Sequence, residues 1–276
     1  MDLETRFNIV TAATPFLEQR MMAQTTTLVW HRNEPAPLDH GTAVLLDIDG
    51  DGVLLTAAHL LRNRNAADFQ IVGSSDATNI RFAPEEGEFW GGQPEANLDV
   101  GFLRLTEEGK QRLLAFGKVF LHLEDIDVFP SRLQEDHLYM FGMPEVCHRV
   151  LPDGRHSYGS LSFPNVVDEE IDWSNGERRP LMLEIPYPEE VEVDLNGTRV
   201  NLPDPYGMSG GGLWRVRYAA NGLWVPNSRL VGLMTEFDTV RRVIRVNRPE
   251  AFLNLLGNHF PTAQAYLDAQ MAAIET

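Results

Sequence analysis

DIDGDGVLLTAAHLL, residues 47–61, holds two readings at once. Its first half, D-x-D-x-D-G, sets oxygen ligands at alternate positions before a glycine, as the front of a calcium loop does. Its second half runs a strand-like GVLLT into a small-residue turn and a histidine, His59. A calcium loop of the EF-hand type also needs a bidentate glutamate at its twelfth place and a helix on each side. Counted from Asp47, that place is Ala58, and the flanks TAVLL and VLLT are strand-like. The stretch therefore reads as a β-hairpin tipped by Asp49-Gly50-Asp51-Gly52, because Asp-Gly suits such turns. The strand after the tip delivers His59.

The same rhythm continues along the chain. TTTLVW, FQIVG, VGFLRL, HLYMFG, LMLEI, GLWRVRY, LVGLM and VIRV are short strand-like runs separated by turn residues, which points to an all-β barrel or sandwich. Asn196-Gly197, inside EVDLNGTRVNL, predicts a second hairpin with a type I′ turn. Helical patterns sit at the ends, over residues 3–20 and from Pro261, where Ala263, Tyr266, Leu267, Gln270, Met271 and Ile274 share one side. Residues 106–116 predict a short helix between two halves.

Composition narrows the function classes. A chain of 276 residues, 43% hydrophobic and 23% charged, suits a soluble globular protein of one large domain or two small ones. No apolar run approaches the 18 residues or so of a membrane span. The start, MDLETRFNIV, carries acids where a secretory signal needs basic and then apolar residues, and the single Cys147 allows no internal disulfide; both point to the cytoplasm. A formal charge of −17 repels phosphate backbones, which argues against nucleic acid as a direct ligand, and attracts basic peptides.

A lone histidine after a strand is commonly structural, so His59 must be weighed by its partners. A serine hydroxyl becomes a nucleophile only with a base, a carboxylate to orient that base, and amide donors for the oxyanion. DPYGMSGGGLW, residues 204–214, sets Ser209 among four glycines, where the N–H groups of Gly207 and Ser209 can converge on one point. The competing reading is a glycine-rich turn before a strand. Asp99, in NLDVGFLRL, is either the orienting carboxylate or an ordinary strand-start acid. His137, Cys147, His148 and His156 lie near one another in sequence, but their spacings match no common zinc pattern and fit barrel packing. Trp90 and Trp173 read either as binding aromatics or as partly buried anchors.

Taken together, these segments resemble the trypsin-like serine peptidases of the chymotrypsin fold, in their disulfide-poor bacterial form. The similarity spans residues 41–246. GTAVLL resembles the strand before the histidine, LLTAAHLL the T-A-A-H signature, LDVGFLRL the strand of the orienting acid, and YMFGMPE the turn opening the second barrel. SYGSLS resembles the strand that follows, GMSGGGLW the G-x-S-G-G motif, and LVGLMT the strand lining the substrate cleft. The resemblance implies two packed six-stranded antiparallel β-barrels with N- and C-terminal helices. It divides the chain into a helical extension (1–26), a first barrel with His59 and Asp99 (27–116), a linker (117–136), a second barrel with Ser209 (137–247) and a C-terminal helix (248–276).

It further implies a serine endopeptidase. Ser209 attacks, His59 carries the proton, Asp99 orients His59, and the Gly207 and Ser209 amides form the oxyanion hole. The scheme needs no metal and no organic cofactor, and activity should rise with pH through the ordinary imidazole range, about 6.5. Asp204, Tyr206, Met208, Thr235, Glu236 and Phe237 would bind substrate, with the backbone of 235–237 pairing with the substrate chain. Asp204 or Glu236 would favour Lys or Arg before the cut, although Asp204, between two prolines, equally reads as a turn residue. The chain departs from the family in a long excursion over 219–229 and in Glu236-Phe237, where small residues are usual. The expected partner is a peptide or protein substrate. Residues 1–26 and the acidic loop 168–179 are the candidates for contact with a regulatory partner. The alternatives are a silent or latent protease-fold module that binds peptide without turnover, and an esterase on the same residues.

Overall fold

Asp49 and Gly50 both lie in the left-handed region, at φ 57° and 89°, and Ile48 pairs with Asp51. The tip of the opening hairpin is therefore a two-residue type I′ turn, whose twist matches that of the strands it joins. Its acids are held by the protein itself. Asp47 accepts the Gly50 N–H (3.0 Å) and the Lys110 ammonium (2.8 Å), Asp51 pairs with Arg104 (2.5 Å), and Asp49 accepts the Thr262 hydroxyl (2.6 Å). The D-x-D-x-D run thus ties the hairpin to neighbouring elements.

The computed structural model describes residues 3–31, 38–62, 69–72, 81–82, 89–91, 98–128, 137–152, 156–166, 181–192, 196–218 and 224–273. They are mostly β, in several antiparallel sheets, with a few helices. The first half holds β1 (Thr25–His31), β2 (Leu38–Ile48), β3 (Asp51–Thr56), β4 (Phe69–Val72), β5 (Arg81–Phe82), β6 (Phe89–Gly91) and β7 (Gly101–Arg104), joined as one sheet in the order β5-β4-β1-β2-β3-β7-β6. The second half holds β8 (His137–Gly142), β9 (His148–Val150), β10 (His156–Tyr158), β11 (Leu161–Val166), β12 (Met182–Pro186), β13 (Glu190–Glu192), β14 (Arg199–Asn201), β15 (Gly212–Tyr218), β16 (Trp224–Asp238) and β17 (Val243–Asn247). Here the main sheet runs β11-β8-β15-β16-β17-β12. Among the described residues no strand pair closes either sheet on itself. The helices are α1 (Leu3–Ala23), α2 (Ala58–Leu61), α3 (Glu107–Ala115), α4 (Pro249–Gly257) and α5 (Pro261–Ala272).

Side chains alternate between two cores, as strand geometry requires. In β2 and β3, Val44, Leu46, Val53 and Leu55 face a core shared by both halves, while Ala43, Leu45 and Leu54 face a core of the first sheet. In β8, Tyr139 and Phe141 join the shared core, and Leu138 and Met140 join a core of the second sheet. Both faces of these strands are buried, which is why they read as continuous apolar runs. The shared core is completed by Leu17 and Met21 of α1 and by Phe252, Leu256, Ala263 and Leu267 of α4 and α5.

Lys118 fastens the end of α1. Its buried Nζ donates to Met22 O (2.9 Å) and Thr25 O (2.7 Å), and burial lowers its pKa to about 8. No helix among the described residues is long and apolar enough to cross a membrane.

Several expectations change. The C-terminal segment is two helices. The first, PEAFLNLLG, buries Ala251, Phe252, Leu253 and Leu256 and leaves Asn254 exposed. Met271 is exposed, and Ile274 lies outside the described residues. The second hairpin forms, with Glu192 paired to Arg199 and Gly197 at positive φ; residues 193–195 of its turn lie outside the described residues. Arg199 lies 3.2 Å from Glu192 and 3.9 Å from Glu190, charge pairs that suit this register. The excursion after β15 is mostly strand: Trp224 pairs with Tyr218, Ser228 with Val216 and Arg229 with Arg215. His137 is buried in β8 and His148 stacks on Tyr158; the His156 side chain lies outside the described residues. So do the Trp90 side chain and the acidic loop 168–179 with Trp173. Among the described residues no three His, Cys, Asp or Glu side chains gather as a metal site.

Candidate active site

β3 carries the chain to Thr56, and buried Ala57 and Ala58 then turn it into α2, whose first turn presents His59 at the surface. Asp99 sits just ahead of β7, the strand hydrogen-bonded to β3. Three contacts join these segments. Asp99 O accepts the Ala58 N–H (3.2 Å), Asp99 Oδ1 accepts the His59 N–H (2.8 Å), and Asp99 Oδ2 lies 2.5 Å from His59 Nδ1. The carboxylate grips both backbone and ring. An Nδ1–H donated to Oδ2 leaves Nε2 as the basic nitrogen, the tautomer a general base needs.

Ser209 lies across the same cleft, on a chain held by its own glycines. Gly207 and Gly210 have φ of 93° and 84°, where a β-carbon is strained. A β-carbon on Gly207 would also lie 2.7 Å from His40 Nε2, and one on Gly210 would overlap Thr42 O and the Thr56 hydroxyl. Met208 points inward, 2% exposed, into the core of the second sheet and over Gly142. Gly210 N–H donates to Met234 O (2.7 Å) and Gly211 N–H to Met208 O (2.8 Å).

Thr42 stitches this loop to the first sheet. Its N–H donates to Ser209 O (2.9 Å), and its hydroxyl donates to Gly207 O (3.0 Å) and accepts the Met143 N–H (2.9 Å). Thr56 donates in turn to Thr42 O (2.7 Å). On the far side, Tyr206 O accepts the Glu145 N–H (2.7 Å). A trans peptide sets its N–H opposite its C=O, so the Gly207 N–H is turned away from Glu145. Among the described residues neither the Gly207 nor the Ser209 amide donates to a protein acceptor. The Ser209 hydroxyl donates to Thr235 O (2.9 Å).

His59, Asp99, Gly207 and Ser209 line a cleft of about 990 Å³. All six substrate-binding candidates border it, with different roles for their side chains. Asp204 Oδ1 caps its own turn by accepting the Tyr206 N–H (3.0 Å), and Glu236 accepts from Arg245 (2.6 Å). Phe237 is wedged against Tyr187 (ring centroids 5.5 Å) under the Arg242 guanidinium, and Tyr206 is exposed. The Tyr187 hydroxyl donates to Pro203 O (2.7 Å), and burial pushes its pKa up to about 12. Sequence reasoning missed Thr42, Thr56, Glu145 and Arg245. A buried threonine in an apolar strand, such as Thr42, was the one available signal.

No protein-family model matches the sequence, nor does any curated protein. Solved structures do match in shape. An inactivated protease paralogue of the scabies mite aligns with a TM-score of 0.52 at 12% identity, over 88% of this chain and 96% of its own. The fold is that of the chymotrypsin-like serine proteases. A thermostable serine protease from an extremophilic microorganism (TM-score 0.46, 14% identity, 82% and 91% covered) is also similar. So is the active form of a protease from M. tuberculosis (0.47, 12%, 90% and 85%). At such identities the chymotrypsin-like likeness speaks to the path of the chain, and the chemistry rests on the cleft itself.

Proposed function

We propose that this chain is a serine endopeptidase, with His59, Asp99 and Ser209 as its catalytic triad and the Gly207 and Ser209 amides as its oxyanion hole. The carrying observation is the double grip of Asp99 on His59, backbone and ring together, in the cleft that also holds Ser209. Ser209 Oγ attacks the carbonyl carbon of a peptide bond as His59 Nε2 takes the hydroxyl proton. The same proton then passes to the leaving amine, and water, activated by His59, releases the acyl group. Asp99 stabilises the imidazolium between these steps. Losing one oxyanion donor in such a site costs about 3–4 kcal/mol. No step calls for a metal or an organic cofactor. The two main sheets, of seven and six strands and each with a core of its own, support a reading as the two barrels of the fold, expected at six strands each. The lone Cys147 fits a cytoplasmic protein.

The test is labelling with a fluorophosphonate at about pH 8, where an ordinary imidazole is neutral. Adduct on Ser209 in the wild type, absent in Ser209→Ala and His59→Ala, is expected. A folded wild type that takes no label would refute the proposal. One observation favours a second reading, a latent or silent peptide-binding module: the Ser209 hydroxyl donates to Thr235 O. In that case Ser209→Ala binds peptides as the wild type does, and neither protein cleaves them.

A further inference from the structure

Helix α2 is a single turn with two faces. Leu60 and Leu61 point inward, each 6% exposed, into the core of the first sheet. Leu60 lies so close over Gly41 that a β-carbon on the glycine would come within 2.4 Å of it. The turn closes with the Arg62 N–H on Ala58 O (3.1 Å). Residues three apart share a helical face, so the packing that aims His59 at the cleft sets Arg62 beside it. Both border the cleft, and Arg62 is exposed.

Arg62 differs from the cations around it. Arg245, the other arginine of the cleft, is held by Glu236 (2.6 Å), Asp238 (3.4 Å) and Glu184 (3.6 Å). Arg104, Arg112, Arg215, Arg241 and Arg248 each face a carboxylate. With 40 acids for 23 bases the chain has carboxylates in excess, yet among the described residues none reaches the Arg62 guanidinium. The acids of the cleft are engaged elsewhere: Asp99 holds His59, Asp204 accepts the Tyr206 N–H, and Glu236 sits against Arg245. An incoming carboxylate therefore finds its open counter-charge at Arg62.

We infer that Arg62 selects the leaving half of the substrate by pairing with an Asp or Glu side chain one or two residues after the scissile bond. His59 must pass its proton to the leaving amine, so that half of the chain departs past His59. An arginine one helical turn further on reaches the side chains that follow the cut, and its planar fork matches a carboxylate. The surface as a whole, at a formal charge of −17, repels acids, but at physiological salt an ion pair acts within about 8 Å. The selection is therefore for one acid at that place and against acidic runs. The inference rests on the serine endopeptidase reading.

The test is cleavage of a library of short random peptides by the full chain, with sites read by mass spectrometry. Amidated C-termini leave side chains as the carboxylates present after the cut. In about 50 mM salt, Glu over Gln and Asp over Asn should be enriched about two- to fivefold at the first or second position after the cut, the range that exposed ion pairs give. About 0.5 M salt should shrink the enrichment. Arg62→Lys should retain it, Arg62→Gln should abolish it, and Arg62→Glu should reverse it to Lys and Arg. The Arg62 side chain is exposed and makes no contact the fold depends on, so these variants fold, which thermal unfolding checks. No acid enrichment after the cut, enrichment confined to positions before it, or enrichment that survives in Arg62→Glu overturns the inference and leaves the endopeptidase reading standing. No cleavage, or cleavage that persists in Ser209→Ala, overturns that reading and the inference with it.

Discussion

Thr42→Val removes a single oxygen that two halves of the molecule share. The Thr42 hydroxyl donates to Gly207 O and accepts the Met143 N–H, and the residue is fully buried. Valine keeps the shape and leaves both backbone groups without that partner. Each unpaired buried group costs about 1–3 kcal/mol, so the loss should come to roughly 2–6 kcal/mol. Against a total of about 5–15 kcal/mol most of that range leaves the variant folded at 25 °C. Urea unfolding should show a lower midpoint at an unchanged slope. The Gly207 peptide keeps its other anchor, Tyr206 O on the Glu145 N–H. Fluorophosphonate labelling should therefore slow by up to about 10²-fold, the lower range for loss of an oxyanion donor. Thr42→Ser keeps the hydroxyl and should recover most of both effects. A Thr42→Val protein with wild-type stability and labelling, or a Thr42→Ser protein equally damaged, would refute this account of the loop.

Asp99→Asn replaces the acceptor of the 2.5 Å contact to His59 Nδ1 with a group that cannot enforce the tautomer; kcat for a cleavable peptide should fall about 10⁴-fold with the fold intact, and unchanged turnover would remove Asp99 from the mechanism. Lys118 predicts a pH effect. Its pKa falls from 10.5 to about 8 on folding, so between those values the unfolded chain binds the extra proton and stability rises with pH. Measured against Lys118→Met, the wild type should gain up to about 3 kcal/mol across that window; a constant difference between the two proteins would contradict the burial account.

The order TAAH, NLDV, GMSGGG was legible because each segment couples a strand to a local turn, and such couplings lie within a few residues. The Asp-Gly turn at residues 49–50 was readable for the same reason, since positive φ is a property of the residues themselves. Helix α4 was not, because an apolar run as short as AFLNLLG does not by itself tell a helix from a strand. The pairing of β13 with β14 around Asn196-Gly197 was readable too, because Asn-Gly marks a reversal locally. Sequence alone therefore determined which side chains are candidates and in what order they occur. Tertiary structure decided how they are aimed. Gly207 is oriented by Thr42, 165 residues away, and Thr42 is shared with Met143, 101 residues away. The Ser209 hydroxyl is turned to a carbonyl that only a bulge in the β16–β17 register frees. Hydrogen bonds between distant backbone groups leave no periodic trace in a sequence, so they appear only once the two sheets are brought together.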